Sequence, residues 1–302
     1  MKKLTALLLA ALLLCLSAAA LGEGVDAWLK EFADTVKEAA QGSGALDGIE
    51  FPQREARKKE SLAMLYIEGQ LIEGDSYYDH VGTLTAIEEL IYDDENAALL
   101  LVFNTPGGGL YESDELHHAI MTYKELTGRP VYAYMKQECC SGGVYAAMAA
   151  DTIYASRMTV TGSVGVYVTT MSEAGLLQKL GIEQEFISTG ENKVAGYPTL
   201  TEDQRAIEQA IVDEGFEFFK AVIREGRNLT DEQMAPFLDG RILTALQARE
   251  FGLIDEVLYY DEAMEKILDT LSPETTIRDI TPEAQMGFED MITSEILKWI
   301  MP

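Results

Sequence analysis

The chain has 302 residues, 47% of them hydrophobic and 25% charged, with a formal net charge of −28. That apolar content over that length excludes a disordered chain and allows one large core or two small ones. The acidic surplus repels nucleic acid and anionic lipid, which excludes phosphate-binding roles, and it suits solubility in an extracytoplasmic setting.

Met1-Lys2-Lys3, an uncharged run over residues 4–21, and Ser17-Ala18-Ala19-Ala20 near its end have the layout of a secretory leader. The run is also long enough for a membrane anchor, so residues 1–22 are read as signal peptide or anchor. Cys15 follows three leucines, not a small residue, which argues against a lipoprotein site. In either case the remainder is expected outside the cytoplasm, membrane-anchored or secreted, with membrane association through residues 4–21. Residues 23–60 read as an N-terminal helix and a linker. Val25, Trp28, Leu29, Phe32, Val36 and Ala40 recur at helical spacing, then Gly42 and Gly44 break the pattern. Beyond the leader the cysteines are Cys139 and Cys140, and neighbours rarely pair, so no structural disulfide is expected.

From residue 62 apolar runs alternate with helical patterns. Strands are predicted over 62–67, 98–104, 131–135 and 151–155, and helices over 84–92, 113–126 and 144–150. Such alternation implies an α/β domain with a mostly parallel sheet, whose sites lie in loops after the strands. A short helix over 171–180 and a strand over 183–188 are expected next, then a turn holding Lys193. A long helix follows over 201–227 with Thr201 as its cap, and two further helices over 244–251 and 262–271. The main folded domain is taken as 61–272. Residues 273–302 read as a polar tail ending in an amphipathic helix, with Met286, Met291, Ile292, Ile296 and Ile300 at helical spacing.

Two loops carry the chemistry. In Thr105-Pro106-Gly107-Gly108-Gly109 the glycines can take positive φ and turn N–H groups outward. Neither a dinucleotide fingerprint nor a P-loop is present. Ser141 precedes Gly142 and Gly143 and then a wholly apolar helical run, where free N–H groups and a helix dipole suit an oxyanion. Ser141 read alone is equally an N-cap. His80, His117 and His118 are the three histidines, and none stands in a metal-binding or triad-like pattern, so no metal and no cofactor is expected. The remaining base is lysine, which needs burial to bring its pKa down from about 10.4.

Asn104-Thr105-Pro106-Gly107-Gly108-Gly109, the Cys139-to-Asp151 segment around Ser141, Thr161-Gly162-Ser163-Val164-Gly165-Val166, Lys193, and the Asp239-to-Asp255 segment occur in one order. Together they resemble the signal peptide peptidase A (protease IV) family of serine peptidases in its short, single-domain form. The resemblance implies a Clp protease/crotonase-like fold of repeated β-β-α units. It implies a serine endopeptidase with a Ser-Lys dyad: Ser141 as nucleophile, Lys193 as general base, Ser163 orienting the lysine, and the N–H groups of Gly108 and Gly142 as the oxyanion hole. It further implies homo-oligomeric assembly and peptide substrates bound in extended form, such as released signal peptides. Cys139-Cys140 departs from the small apolar residues usual there, which bears on the substrate groove. The alternatives are a peptidase processing specific membrane proteins, a crotonase-like acyl-CoA enzyme, and an inactive binding scaffold.

Overall fold

The structure is a computed structural model that describes residues 60–282. The expected leader, the helix over 25–40 and the amphipathic helix near the C-terminus lie outside the described residues.

Strand β1 (Ser61–Leu71) leads through α1 (His80–Ile91) to β2 (Asn96–Gly108), then through α2 (Leu110–Thr127) to β3 (Val131–Cys140). These three strands are parallel neighbours. Leu99 to Phe103 of β2 are buried without a break, the mark of a strand covered on both faces. On one face lie Ile87 and Leu90 of α1 with Leu116, Ile120 and Tyr123 of α2; on the other, Ala263 and Ile267 of a late helix pack on Leu62, Leu100 and Tyr132.

Strand β3 is the branching point. Its first half pairs with β4 (Thr152–Ala155) and its second half with β5 (Val160–Gly162), both parallel. β4 pairs onward with β7 (Glu256–Val257), and β5 antiparallel with β6 (Ile242–Thr244). One long strand thus feeds two sheet limbs, passing from one to the other between Met135 and Glu138 and ending at Cys140 beside β5. Between β3 and β4 runs α3 (Gly142–Ala147), buried along its whole length.

The α/β class is as expected, with differences at several elements. Asp79 caps α1 by accepting from the Gly82 N–H, so that helix starts four residues before the apolar pattern does. β2 and β3 run on into segments read as loops, because Gln70 and Leu71 pair with Gly107 and Gly108 and Glu138 pairs with Val160. Residues 183–188 form no strand: they are exposed and meet no partner strand among the described residues, and α4 (Ala174–Leu180) precedes them. Thr201 caps α5 (Glu202–Arg227) with Gln204 in a reciprocal capping box. The α7 helix (Ala245–Glu250) and α8 helix (Tyr260–Asp269) follow the four-residue α6 (Asp231–Met234). Past residue 272 the chain returns to the sheet as β8 (Thr276–Asp279), parallel to β1, so the polar stretch holds an edge strand. No helix among the described residues is long and apolar enough to cross a membrane.

Candidate active site

Ser141 sits between β3 and α3 with φ 49° and ψ −118°, a conformation that L-residues avoid. Its N–H donates to the Gly162 carbonyl at 2.9 Å, and its carbonyl accepts from the Tyr145 N–H at 3.0 Å. Because Cys140 pairs with Gly162, the next residues on the two strands are Ser141 and Ser163. Ser163 also has positive φ, 52°, and its N–H donates to the Arg241 carbonyl at 2.8 Å. Among the described residues only Ser141, Ser163 and Asn228 are non-glycine residues with positive φ. Such positions cost about 1–3 kcal/mol each and concentrate at functional sites; here two of the three are adjacent serines.

The glycine loop closes on this pair. A methyl group on Gly107, whose φ is +99°, would lie 2.7 Å from both the Cys140 carbonyl oxygen and the Gly142 nitrogen. One on Gly142 would lie 3.2 Å from the Gly108 nitrogen. The flanking donors are committed: the Gly107 N–H to Thr105 Oγ1 at 3.0 Å and the Gly109 N–H to the Leu71 carbonyl at 2.9 Å. Gly142 opens α3, so its N–H has no partner within the helix. The two glycines proposed from the sequence therefore stand side by side at the nucleophile turn.

Ser141, Ser163, Gly107 and Gly108 line a cleft of about 720 Å³. Its walls add residues that the sequence did not single out: Gln70 near the end of β1 and Ile72 just after it, Val164 to Tyr167 after β5, and Gln209, Val212, Asp213 and Phe216 of α5. The signal missed was the helical period of α5, which reads as core packing and says nothing about which exposed residues turn toward a cleft. No histidine lines the cleft. Burial holds the His117 imidazole down at about 4, and its ring packs edge-on against Tyr145 of α3. Burial also pushes the Cys140 thiol up to about 11 and raises the Cys139 thiol well above its ordinary value. Both cysteines are free and buried and behave as small apolar side chains, not as thiolate nucleophiles. No group of His, Cys, Asp and Glu among the described residues could hold a metal ion.

Lys193 stands apart in the single chain. It lies in a 3-10 turn, Glu191–Val194, not after a strand; it is exposed and does not line the cleft. Gln204 of the α5 capping box donates from Nε2 to the Glu191 carbonyl at 3.1 Å and so ties that turn to the start of α5. The segment before it is strongly apolar yet bare, with Tyr167 85%, Met171 84% and Ile187 96% exposed.

Residues 124–272 match the model of peptidase family S49. A protein of Enterococcus faecium that carries the name of signal peptide peptidase SppA is 34% identical over 206 residues, 68% of this chain and 58% of its own length. The Synechocystis sp. protein slr0021 is 31% identical over 234 residues, 72% of this chain and 82% of its own. Among solved structures, ClpP1 from Listeria monocytogenes aligns with a TM-score of 0.42 at 15% identity, over 67% of this chain and 94% of that one. The chain spans little more than half the length of its Enterococcus relative and most of its Synechocystis relative. It belongs to peptidase family S49.

Proposed function

We propose that the chain is a serine endopeptidase working through a Ser-Lys dyad. Ser141 Oγ attacks the scissile carbonyl carbon, and its proton passes to Lys193 Nζ. The oxygen that becomes negative is met by the N–H groups of Gly108 and Gly142. The lysine then returns the proton to the departing amine, and water repeats the sequence on the acyl-serine. Ser163 orients the lysine. The observation that carries this reading is the strained turn itself: Ser141 and Ser163 at positive φ, at the ends of paired strands, lining one cleft with Gly107 and Gly108.

Lys193 is supplied by a neighbouring copy. Its turn is exposed, Tyr167, Met171 and Ile187 of the segment before it stand bare among the described residues, and Ile207, Ile211 and Phe218 of α5 are exposed too. A contact over such a surface would bury the lysine and lower its pKa, as a base at neutral pH requires. The substrates are peptides in extended form with apolar side chains, to fit Ile72, Val164, Val212 and Phe216, and released signal peptides are of this class. The site works outside the cytoplasm, anchored or secreted through residues 1–22. Ser141→Ala and Lys193→Ala are each expected to abolish cleavage of an apolar peptide library while leaving the circular dichroism spectrum intact. Normal turnover by either variant would remove the mechanism.

A further inference from the structure

Two donors that meet one oxygen must be held at a fixed separation, and glycines, having no side chains, cannot hold themselves. Thr105 and Ser113, both 0% exposed, stand directly behind them. Thr105 Oγ1 accepts the Gly107 N–H at 3.0 Å, so that donor is committed, while the next nitrogen, that of Gly108, lies at the nucleophile turn, 3.2 Å from where a Cβ on Gly142 would stand. The methyl of the same threonine abuts α3: a Cβ on Gly143 would lie 2.6 Å from Thr105 Cγ2. Ser113 of α2 is the counterpart on the other side. Its hydroxyl donates to the Gly109 carbonyl at 2.7 Å, and a Cβ on Gly142 would collide with that hydroxyl oxygen. A serine in a helix often bonds back to the carbonyl four residues before it. Here that hydroxyl is also wedged between the glycine loop and the first residue of α3.

We infer that the buried hydroxyls of Thr105 and Ser113 are positioning residues that fix the Gly108 and Gly142 N–H groups relative to each other, each gripping the glycine loop with its oxygen while resting against α3. The inference rests on the peptidase reading above. Neither side chain touches substrate, so their effect should fall on the transition state and not on peptide binding.

Thr105→Val keeps the branched shape against Gly143 and removes the acceptor, whereas Thr105→Ser keeps the acceptor and drops the methyl. Each variant would be assayed in the full chain for kcat and KM on an apolar peptide, for inhibition by a peptide boronate, which places an oxygen in the donor site, and for melting temperature. Thr105→Val is expected to lower kcat about 10- to 100-fold, with KM within about twofold and boronate affinity weakened in proportion to kcat. Thr105→Ser is expected to restore kcat to within about threefold of wild type. Ser113→Ala carries the same expectation at about 5- to 10-fold and keeps the test alive should Thr105→Val fail to fold. An active wild type with Thr105→Val equal to it, or altered in KM or melting temperature alone, overturns the inference and leaves the peptidase reading standing. A wild type that neither cleaves peptide nor reacts with a serine-directed phosphonate overturns both.

Discussion

Gly107→Ala probes the tightest point of the site. The residue has φ +99°, where a side chain is strained by about 1–2 kcal/mol. The new methyl would also meet the Cys140 carbonyl oxygen at 2.7 Å, the Gly142 nitrogen at 2.7 Å and Ser141 Cβ at 2.8 Å. Those atoms belong to one turn between a paired strand and a buried helix, so it can give way only as a unit, and overpacking of this kind costs about 1–3 kcal/mol. The sum is about 2–5 kcal/mol, or a fall in melting temperature of about 5–15 °C for a domain of this size. Gly128→Ala is the control: φ is +67° at the end of α2, and nothing lies within 4 Å of the new methyl, so it loses about 1–2 kcal/mol from backbone strain alone. Thermal melts would be run beside the rate of Ser141 labelling by a fluorophosphonate, expected to drop about 100-fold in Gly107→Ala and to stay near wild type in Gly128→Ala. If both variants melt within about 2 °C of each other and label at one rate, the loop does not bear on the serine as described.

If Lys193 acts on a neighbouring copy's serine, mixing refolded Ser141→Ala with Lys193→Ala, each inactive alone, should restore about a quarter of wild-type activity, because a quarter of random pairings join an intact serine to an intact lysine. A mixture as inactive as its components would place the dyad within one chain. The second expectation concerns acid. Burial keeps His117 neutral down to about 4, whereas in the unfolded chain it takes a proton at about 6.5, so its share of stability is present above 6.5 and is lost as pH falls from there toward 4. That share is roughly 3 kcal/mol. Urea midpoints at pH 7, 5 and 4 should fall less steeply for His117→Gln than for wild type, and parallel curves would refute the assignment.

The sheet was legible in the chain because burial on both faces leaves a simple trace: 62–67, 98–104 up to Asn104, and 131–135 are apolar runs, and each proved to lie within a strand. The strand ends were hidden. Gly107, Gly108, Glu138 and Cys139 carry no strand-like pattern, yet they pair, since pairing needs only backbone groups and a neighbour within reach. The false strand at 183–188 failed for the opposite reason. Its side chains suit a strand, but no free edge among the described residues comes to meet it. Ser141 and the glycines were legible as motifs; the positive φ of Ser163, the Thr105 and Ser113 contacts and the α5 wall were not, because each depends on residues brought together across the sheet.

The separation of Lys193 from Ser141 follows from what each group needs. A serine turn can be strained and held by one chain, since β3, α3 and the glycine loop enclose it on every side but the cleft. If Lys193 is the base, it needs an apolar enclosure to shed its proton at neutral pH, and its own chain leaves the Glu191–Val194 turn exposed. The exposed apolar residues Tyr167, Met171 and Ile187 lie on the segment that precedes the lysine's turn. If a second copy covers them, water leaves lysine and segment together, and in the proposed dyad assembly and base formation become one event. Dilution that dissociates the copies should then abolish peptide cleavage, while the fold around Ser141, built from one chain, persists.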